Sequence, residues 1–411
     1  MKKILFFIPL FLLAENFNQI VKYIDNSLNY QIEKEKLTLN KQQVKQYQKI
    51  KYGKLDIDYQ GIYFFTRPYQ KTAISNVNIA DKTHYIGEIK YSFPIFDKLL
   101  NNSIKKQRIK LIKQKLVVEN IKRELFLKVA QIYSNIFALK QNIKAMKLEK
   151  KALLSAKNKA QAFYKSGLMN KSNLDLINAK YYDVLAQIEE LKSKKNSLLE
   201  DLSFILNKEI KDISDIEIIK YNLKPKFENR ADVRVIQTTL NISKEEILLV
   251  KSLYYPKIKF QIGVKREADN FILDENKYTN IDKSYMALSL HYDFDLSKKH
   301  KLESAKIAKN LNYIFYKDYL NKIKSQFNKD KFKLKSLFYQ LRATKEEIKA
   351  RKSYFEYIES QFNEGLSDSE KLKDAIAKLA LVQAKKDYIK SQIFFLENKL
   401  RIDGGENVFS K

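Results

Sequence analysis

The chain has 411 residues, of which only eight are Gly and five are Pro, so helix-breaking residues are rare and each one marks a boundary. Cysteine is absent, which excludes disulfides, thiol catalysis and Cys-ligated metal sites. The formal charge of +30 is typical of either a nucleic-acid-binding protein or a solvated, Lys-rich helical surface. Lys far outnumbers Arg, the residue that forms forked phosphate contacts, so we expect no nucleic-acid partner.

The first residues resemble an export signal. Lys2 and Lys3 precede an apolar run over 4–13 that ends at Ala14. Such a run is typical of a secretory signal peptide and is too short to span a membrane as a helix. We therefore predict that 1–14 is removed and that the mature protein has no transmembrane helix.

Four segments alternate apolar and polar residues with period two, which predicts β-strands with two different faces. They lie at about 55–66, 84–96, 257–266 and 285–296. A soluble, half-buried sheet would show this alternation, and so would strands that face lipid on one side and water on the other. Each segment is long enough to cross a bilayer as a tilted strand. Four strands cannot close a barrel, so the membrane interpretation requires several copies of the chain.

Long helices follow each pair of strands. The segments 97–166 and 297–364 contain neither Gly nor Pro, and 170–206 and 368–402 follow them after short breaks. Apolar residues recur every seven positions, which indicates coiled-coil packing. The three heptad series are Leu125, Ile132, Leu139, Met146, Leu153 and Ala160; Ile177, Val184, Leu191, Leu198 and Ile205; and Leu334, Leu341, Ile348, Phe355 and Phe362. The breaks around Gly167 and Gly365 predict that each long helix turns back as a helical hairpin.

The order of elements indicates an internal duplication. Gly61 and Gly263 lie 202 positions apart in the first strands of the two halves, and Gly167 and Gly365 lie 198 apart at the hairpin tips. The predicted domains are a signal peptide (1–14), a first repeat (15–206), a connector (207–229), a second repeat (230–402, beginning with a helix at 231–254) and a short tail (403–411).

Five motifs, in this order and at this spacing, resemble the TolC family of bacterial outer membrane efflux proteins along nearly the whole mature chain. They are Ser-Phe-Pro-Ile-Phe-Asp at 92–97, Gly-Leu at 167–168 with Leu-Asp-Leu-Ile-Asn-Ala at 174–179, Asn-Arg-Ala-Asp-Val at 229–233, Leu-Tyr-Tyr-Pro at 253–256, and Gly-Leu at 365–366 with Leu-Lys-Asp-Ala at 372–375. The third has Ala where the family's Arg-Pro-Asp segment has Pro. Lys54 occupies the place of Pro256, so the first repeat is the more diverged.

The resemblance implies a mainly α fold with β-structure: long antiparallel coiled-coil helices plus four membrane-spanning strands per chain. It implies a homotrimer whose twelve strands form one β-barrel in the outer membrane, in contact with its lipid and continuous with a periplasmic α-helical barrel. The protein would be a passive duct carrying drugs or other small molecules. A periplasmic adaptor would connect it to an inner membrane pump.

The resemblance also suggests site residues at the hairpin tips. Adaptor docking is expected at Gly167, Leu168, Gly365 and Leu366, although both glycines could serve only to allow a left-handed turn. Asp175 and Asp374 match acidic residues that line the family's periplasmic aperture, but each could instead complement a helix dipole. At other aperture positions the family's acid, tyrosine and arginine are replaced by Lys371, Phe362 and Ser367.

Two alternatives stay open. The same duct could serve type I protein secretion, or the chain could be an exported coiled-coil scaffold or adaptor that never enters the membrane. We expect no enzyme, metal or cofactor, because His84, His291 and His300 are isolated in the sequence and no Gly-rich phosphate-binding loop is present.

Overall fold

The computed structural model describes residues 14–78, 81–218, 225–269, 281–364, 366–367 and 369–409. The predicted signal peptide, up to residue 13, and the tip residue Gly365 lie outside these ranges. The described elements are α1 (Phe17–Lys22), α2 (Leu28–Lys49), β1 (Lys54–Tyr63), β2 (Tyr69–Lys71), β3 (Asn76–Asn78), β4 (Thr83–Phe96), α3 (Lys98–Lys165), α4 (Lys171–Leu206), α5 (Ala231–Ser252), β5 (Lys257–Ala268), β6 (Ile281–His291), α6 (Lys298–Asn363) and α7 (Ser369–Asp403). The protein is therefore mainly helical with a small antiparallel sheet, and this part of the predicted fold is confirmed.

The principal sheet is antiparallel and has the order β1-β4-β5-β6, while β2 and β3 form a separate small hairpin that the sequence analysis missed. The fourth strand lies earlier than predicted and ends at His291 rather than near 296. Polar contacts explain its end, because His291 is bonded to Asp293, and the Asp295 carboxylate accepts from the Ser297 backbone N–H just before α6. Among the described helices, none is long and apolar enough to cross a membrane.

Two compact units make up the chain, and each draws on both sequence repeats. The first unit comprises Met1–Glu35, Leu116–Arg234 and Lys317–Lys411, and the second comprises Lys36–Lys115 and Val235–Tyr316. We call them the hairpin unit and the sheet unit.

The hairpin unit is stabilised by apolar side chains of the heptad series. One cluster contains Leu125, Ile132 and Ile205 together with Ile20 and Ile24 of the N-terminal segment. At its centre the ring of Phe17 makes edge contacts with Phe126, Tyr133 and Phe394 at centroid distances of 5.0–5.4 Å. Burial of such apolar area is the main stabilising contribution to packing of this kind.

In the sheet unit, α3 and α6 each make polar contacts with α5. The Asn102 amide donates to the Ser252 hydroxyl at 2.6 Å and to the Leu248 carbonyl at 3.1 Å. On α6, the Asn312 amide donates to the Ser243 hydroxyl at 2.7 Å. These contacts hold α3 and α6 against α5 within the sheet unit.

Candidate functional site at the hairpin tips and on the sheet

The first hairpin tip is a left-handed turn centred on Gly167. Its φ is 76°, a value that costs a residue with a side chain about 1–2 kcal/mol. The Leu168 N–H donates to the Phe163 carbonyl at 2.8 Å and the Gly167 N–H to the Tyr164 carbonyl at 3.1 Å. These are the two bonds of a Schellman motif, which satisfies the last carbonyls of α3. The side chain of Leu168 is left 78% exposed.

The second tip repeats the bond that joins residues five positions apart. The Leu366 N–H donates to the Gln361 carbonyl at 2.9 Å, with the same spacing as the bond from Leu168 to Phe163. Leu366 is 70% exposed, so each hairpin presents one leucine to solvent at the same position of its turn. The docking prediction for Gly365 lies outside the described residues.

Beneath the tips, side chains of all four long helices form one apolar cluster. It includes Leu153 and Ala160 of α3, Ile177 of α4, Phe362 of α6 and Leu372 of α7. Phe362 is almost fully buried there, with its ring 6.2 Å from that of Phe163. This position, where the family has a hydroxyl-bearing tyrosine, is therefore occupied by a core side chain.

The predicted aperture acids are both exposed. Asp374 on α7 forms an ion pair with Lys378 at 2.6 Å. Asp175 lies beyond the first turn of α4, which has no acidic residue, and a helix dipole acts mainly within that turn. No hydrogen bond or ion pair in the described part of the chain joins Asp175 to Asp374.

The two other positions predicted to line the aperture differ in environment. Lys371 is exposed on the first turns of α7. The Ser367 hydroxyl is buried and has no hydrogen-bond partner among the described residues. Neither side chain reproduces the charge of the family residue that it replaces.

A buried cluster of charged residues links four helices, and the sequence predicted only part of it. The Arg230 guanidinium donates to both carboxylate oxygens of Asp232 at 3.1 and 2.7 Å, and it lies 3.0 Å from Asp403. Arg123 of α3 donates to Asp403 at 2.6 Å, and the Tyr319 hydroxyl of α6 donates to Asp232 at 2.9 Å. The sequence singled out 229–233 by motif alone. Arg123, Tyr319 and Asp403 were missed because nothing local marks them.

Burial and charge pairing act against each other in this cluster. Burial disfavours the Asp232 carboxylate, but the hydrogen bond from Arg230 and the charges of Arg123 and Arg230 outweigh it and hold its pKa below the usual range. Burial and the neighbouring Asp232 charge raise the pKa of Tyr319 to about 12, so its hydroxyl stays protonated and can donate. The Asp232 carboxylate is therefore held in its charged form by Arg230 and by the neutral Tyr319 hydroxyl.

The two faces of the sheet differ in chemistry. One carries large apolar side chains that are strongly exposed, such as Met286 at 74%, Leu288 at 68% and Ile57 at 70%. On the other face, Tyr285 donates to Glu88 at 2.5 Å and Lys265 pairs with Glu267 at 2.6 Å. A soluble sheet buries its apolar face, whereas a lipid-facing sheet exposes it.

The same fold occurs in solved membrane channels. The chain matches CusC, described in connection with transmembrane channel formation, at a TM-score of 0.82 with 13% identity, covering 97% of this chain and 94% of that chain. It matches the outer membrane protein VceC from Vibrio cholerae at a TM-score of 0.81 with 12% identity, covering 95% of this chain and 96% of VceC. It matches the outer membrane channel CmeC from Campylobacter jejuni at a TM-score of 0.81 with 12% identity, covering 96% of this chain and 87% of CmeC. The chain has the fold of these outer membrane channels.

This channel fold agrees with the TolC-family resemblance, which also predicted a mainly helical chain with a small antiparallel sheet. No protein-family model and no curated protein matches the sequence. At about 12% identity the agreement with CmeC concerns the fold, so function has to be argued from the site residues.

Proposed function

We propose that this protein is the outer membrane duct of a tripartite export system. Three copies form one twelve-stranded β-barrel, and their helical hairpins extend it into the periplasm. The duct is passive and carries drugs or other small molecules delivered by an inner membrane pump through a periplasmic adaptor.

The observation that carries this proposal is the sheet with an exposed apolar face and open edges. Its outer strands, β1 and β6, each pair with a neighbour on one side only. Unpaired strand edges are costly in lipid, where no water can satisfy the backbone groups. Pairing of β1 in one copy with β6 in the next removes every edge and leaves the apolar face toward lipid.

The hairpin tips are the proposed adaptor contact. Leu168 and Leu366 are exposed apolar side chains on rigid turns, which suits docking against another helical hairpin. Together with Gly167 and Gly365 they form the proposed docking surface. Asp175 and Asp374 are proposed to converge from three copies at the aperture, where their like charges attract cations and repel one another.

The proposal can be tested by cross-linking the two edges of the sheet. The chain contains no Cys, so each engineered pair reports one contact. A variant with Ile57→Cys in β1 and Leu288→Cys in β6 is expected to yield covalent trimers on oxidation in outer membranes. Each single substitution is the matched control and should yield no trimer. Purified protein should also produce discrete currents in planar bilayers.

A monomer that stays soluble without detergent and shows no pore activity would contradict the proposal. It would favour the exported scaffold instead. Release from membranes by carbonate would point to the same conclusion.

A further inference from the structure

The end of the sheet where the helices attach carries an exposed aromatic surface. It is formed by side chains at or just beyond the ends of the four strands, and we call it the junction belt. Its members are Tyr52, Phe96, Tyr254, Tyr255, Tyr292 and Phe294. The strand register places these segments together, because Lys54 pairs with Ser92, Phe96 with Ile258, and Lys257 with His291.

Lysine ammonium groups lie over the rings of this belt. Lys98 is 3.5 Å from the ring centroid of Tyr255, and Lys49 is 5.5 Å from that of Tyr52. Lys298 lies 4.7 Å from the Tyr292 ring and 5.8 Å from the Tyr254 ring. A cation over an aromatic face keeps its charge while its stem covers apolar surface. The belt therefore combines interfacial aromatic rings with positive charge.

The acidic residues at this end of the sheet already form ion pairs or hydrogen bonds. Asp56 pairs with Lys54, and Asp97 accepts from the Leu100 backbone N–H at 2.7 Å. Asp293 pairs with His291 at 2.9 Å, and Asp295 pairs with Lys301 at 2.8 Å. In the described part of the chain, Lys49, Lys51 and Lys251 are exposed and form no ion pair. The surplus charge of the belt is positive.

We propose that the junction belt binds the phosphate groups of anionic phospholipids. This deepens the proposed function, and rests on it, because the strands must lie in a membrane for the belt to meet headgroups. Tyrosine rings and lysines near the strand ends are suited to the interface between acyl chains and headgroups. The unpaired lysines give a preference for phosphatidylglycerol over zwitterionic phosphatidylcholine through their charge.

The test compares lipid binding by the full-length, detergent-purified protein. Phosphatidylglycerol and phosphatidylcholine are titrated separately, and the bound lipids are counted by native mass spectrometry. The test variant carries Lys49→Gln, Lys51→Gln and Lys251→Gln, all at exposed positions. The matched control carries Lys41→Gln, Lys115→Gln and Lys309→Gln, which are also exposed but lie further along the helices.

We expect the wild type and the control to prefer phosphatidylglycerol. Each lysine removed from the belt should reduce that preference by up to about fivefold. Equal binding of the two lipids by the wild type, or an unchanged preference in the test variant, would overturn the proposal. Loss of the trimer instead of the lipid preference would assign the belt to a neighbouring copy and overturn it too.

Bilayer currents separate this inference from the proposed function. A protein that conducts normally but shows no preference for anionic lipid retains the duct function and loses the lipid site. A protein that forms no pore in any lipid loses the duct function itself.

Discussion

Tyr285 covers Gly263, its direct partner in the β5–β6 register, with its aromatic ring. A Cβ atom at Gly263 would lie 2.9 Å from that ring, closer than side chains pack. The same Tyr285 hydroxyl donates to Glu88 at 2.5 Å. Gly263 is therefore the residue that lets Tyr285 reach across the polar face of the sheet.

Replacing Gly263 with Ala should destabilise the sheet by about 1–3 kcal/mol, because the ring must move from its place. Gly61→Ala is the matched control, since its Cβ would lie 3.3 Å from the Tyr85 ring and needs only a small adjustment. Thermal unfolding of the membrane-embedded protein, followed by the shift in electrophoretic mobility, gives both values. Equal midpoints for the two variants would refute the role of Gly263.

The buried charged cluster predicts a large effect at Arg230. Arg230→Met leaves Asp232 and Asp403 buried with less compensation, and breaking such a pair costs about 3–5 kcal/mol. Arg234→Met is the control, because Arg234 is half exposed and its ion pair with Glu119 at 3.5 Å contributes less than about 1 kcal/mol. Denaturant unfolding measures both free energies. A similar loss in the two variants would show that burial is irrelevant here.

The lowered pKa of Asp232 predicts how the free energy of unfolding changes in acid. Its folded-state pKa lies below the ordinary value, so the unfolded chain binds the proton first as pH falls. The stabilisation by this carboxylate is present at neutral pH and is lost as pH falls from about 4 through the folded-state value. Asp232→Asn should be less stable at neutral pH and should show a shallower loss of stability in acid. A parallel acid profile in wild type and variant would exclude this carboxylate as the cause.

For Glu149 we expect the opposite dependence of stability on pH. The Glu149 side chain, on α3, is only 4% exposed, and this burial raises its pKa. The Lys180 charge opposes the rise to a smaller extent, and the Asp183 charge adds to it. Its folded state therefore holds the proton longer, and its contribution to stability falls as pH rises from about 4.5 through the higher folded-state value. Glu149→Gln should flatten that fall and raise stability at neutral pH. Glu189→Gln, at an exposed position, should change neither. Thermal unfolding between acid and neutral pH distinguishes the two variants.

The aperture proposal predicts a change in conduction. Neutralising both acids with Asp175→Asn and Asp374→Asn should alter single-channel conductance and weaken block by divalent cations. Asp201→Asn, at an exposed position near the other end of α4, is the control and should leave both unchanged. Planar-bilayer recordings give both quantities. Unchanged currents in the double variant would remove these residues from the aperture.

Much of the architecture could be predicted from local patterns. The long helices begin and end within two residues of their predicted bounds, because Gly, Asn and Asp signals mark their ends. The fourth strand was placed too late, since the alternation of Tyr292, Phe294 and Leu296 continues after the pairing has ended. Alternation records which residues could face one side, whereas pairing also requires a partner strand.

The prediction that Gly61 and Gly263 occupy equivalent positions in the two repeats also needs correction. Gly61 shares the face of Ile57, but Gly263 lies on the opposite face, beside Lys265. An even offset of 202 cannot superpose the apolar positions, which are odd-numbered in β1 and even-numbered in β5. Shifting a strand by one residue moves every side chain to the other face.

The sequence by itself determined the long helices and the turns of the hairpins, because these depend on residues only a few positions apart. Only the tertiary structure decided which distant groups meet, as with Arg123 and Asp403, which lie 280 positions apart. It also decided that Phe362 is buried while Leu168 and Leu366 are exposed. Burial and charge pairing depend on chain segments that no local pattern relates, so they follow from packing alone.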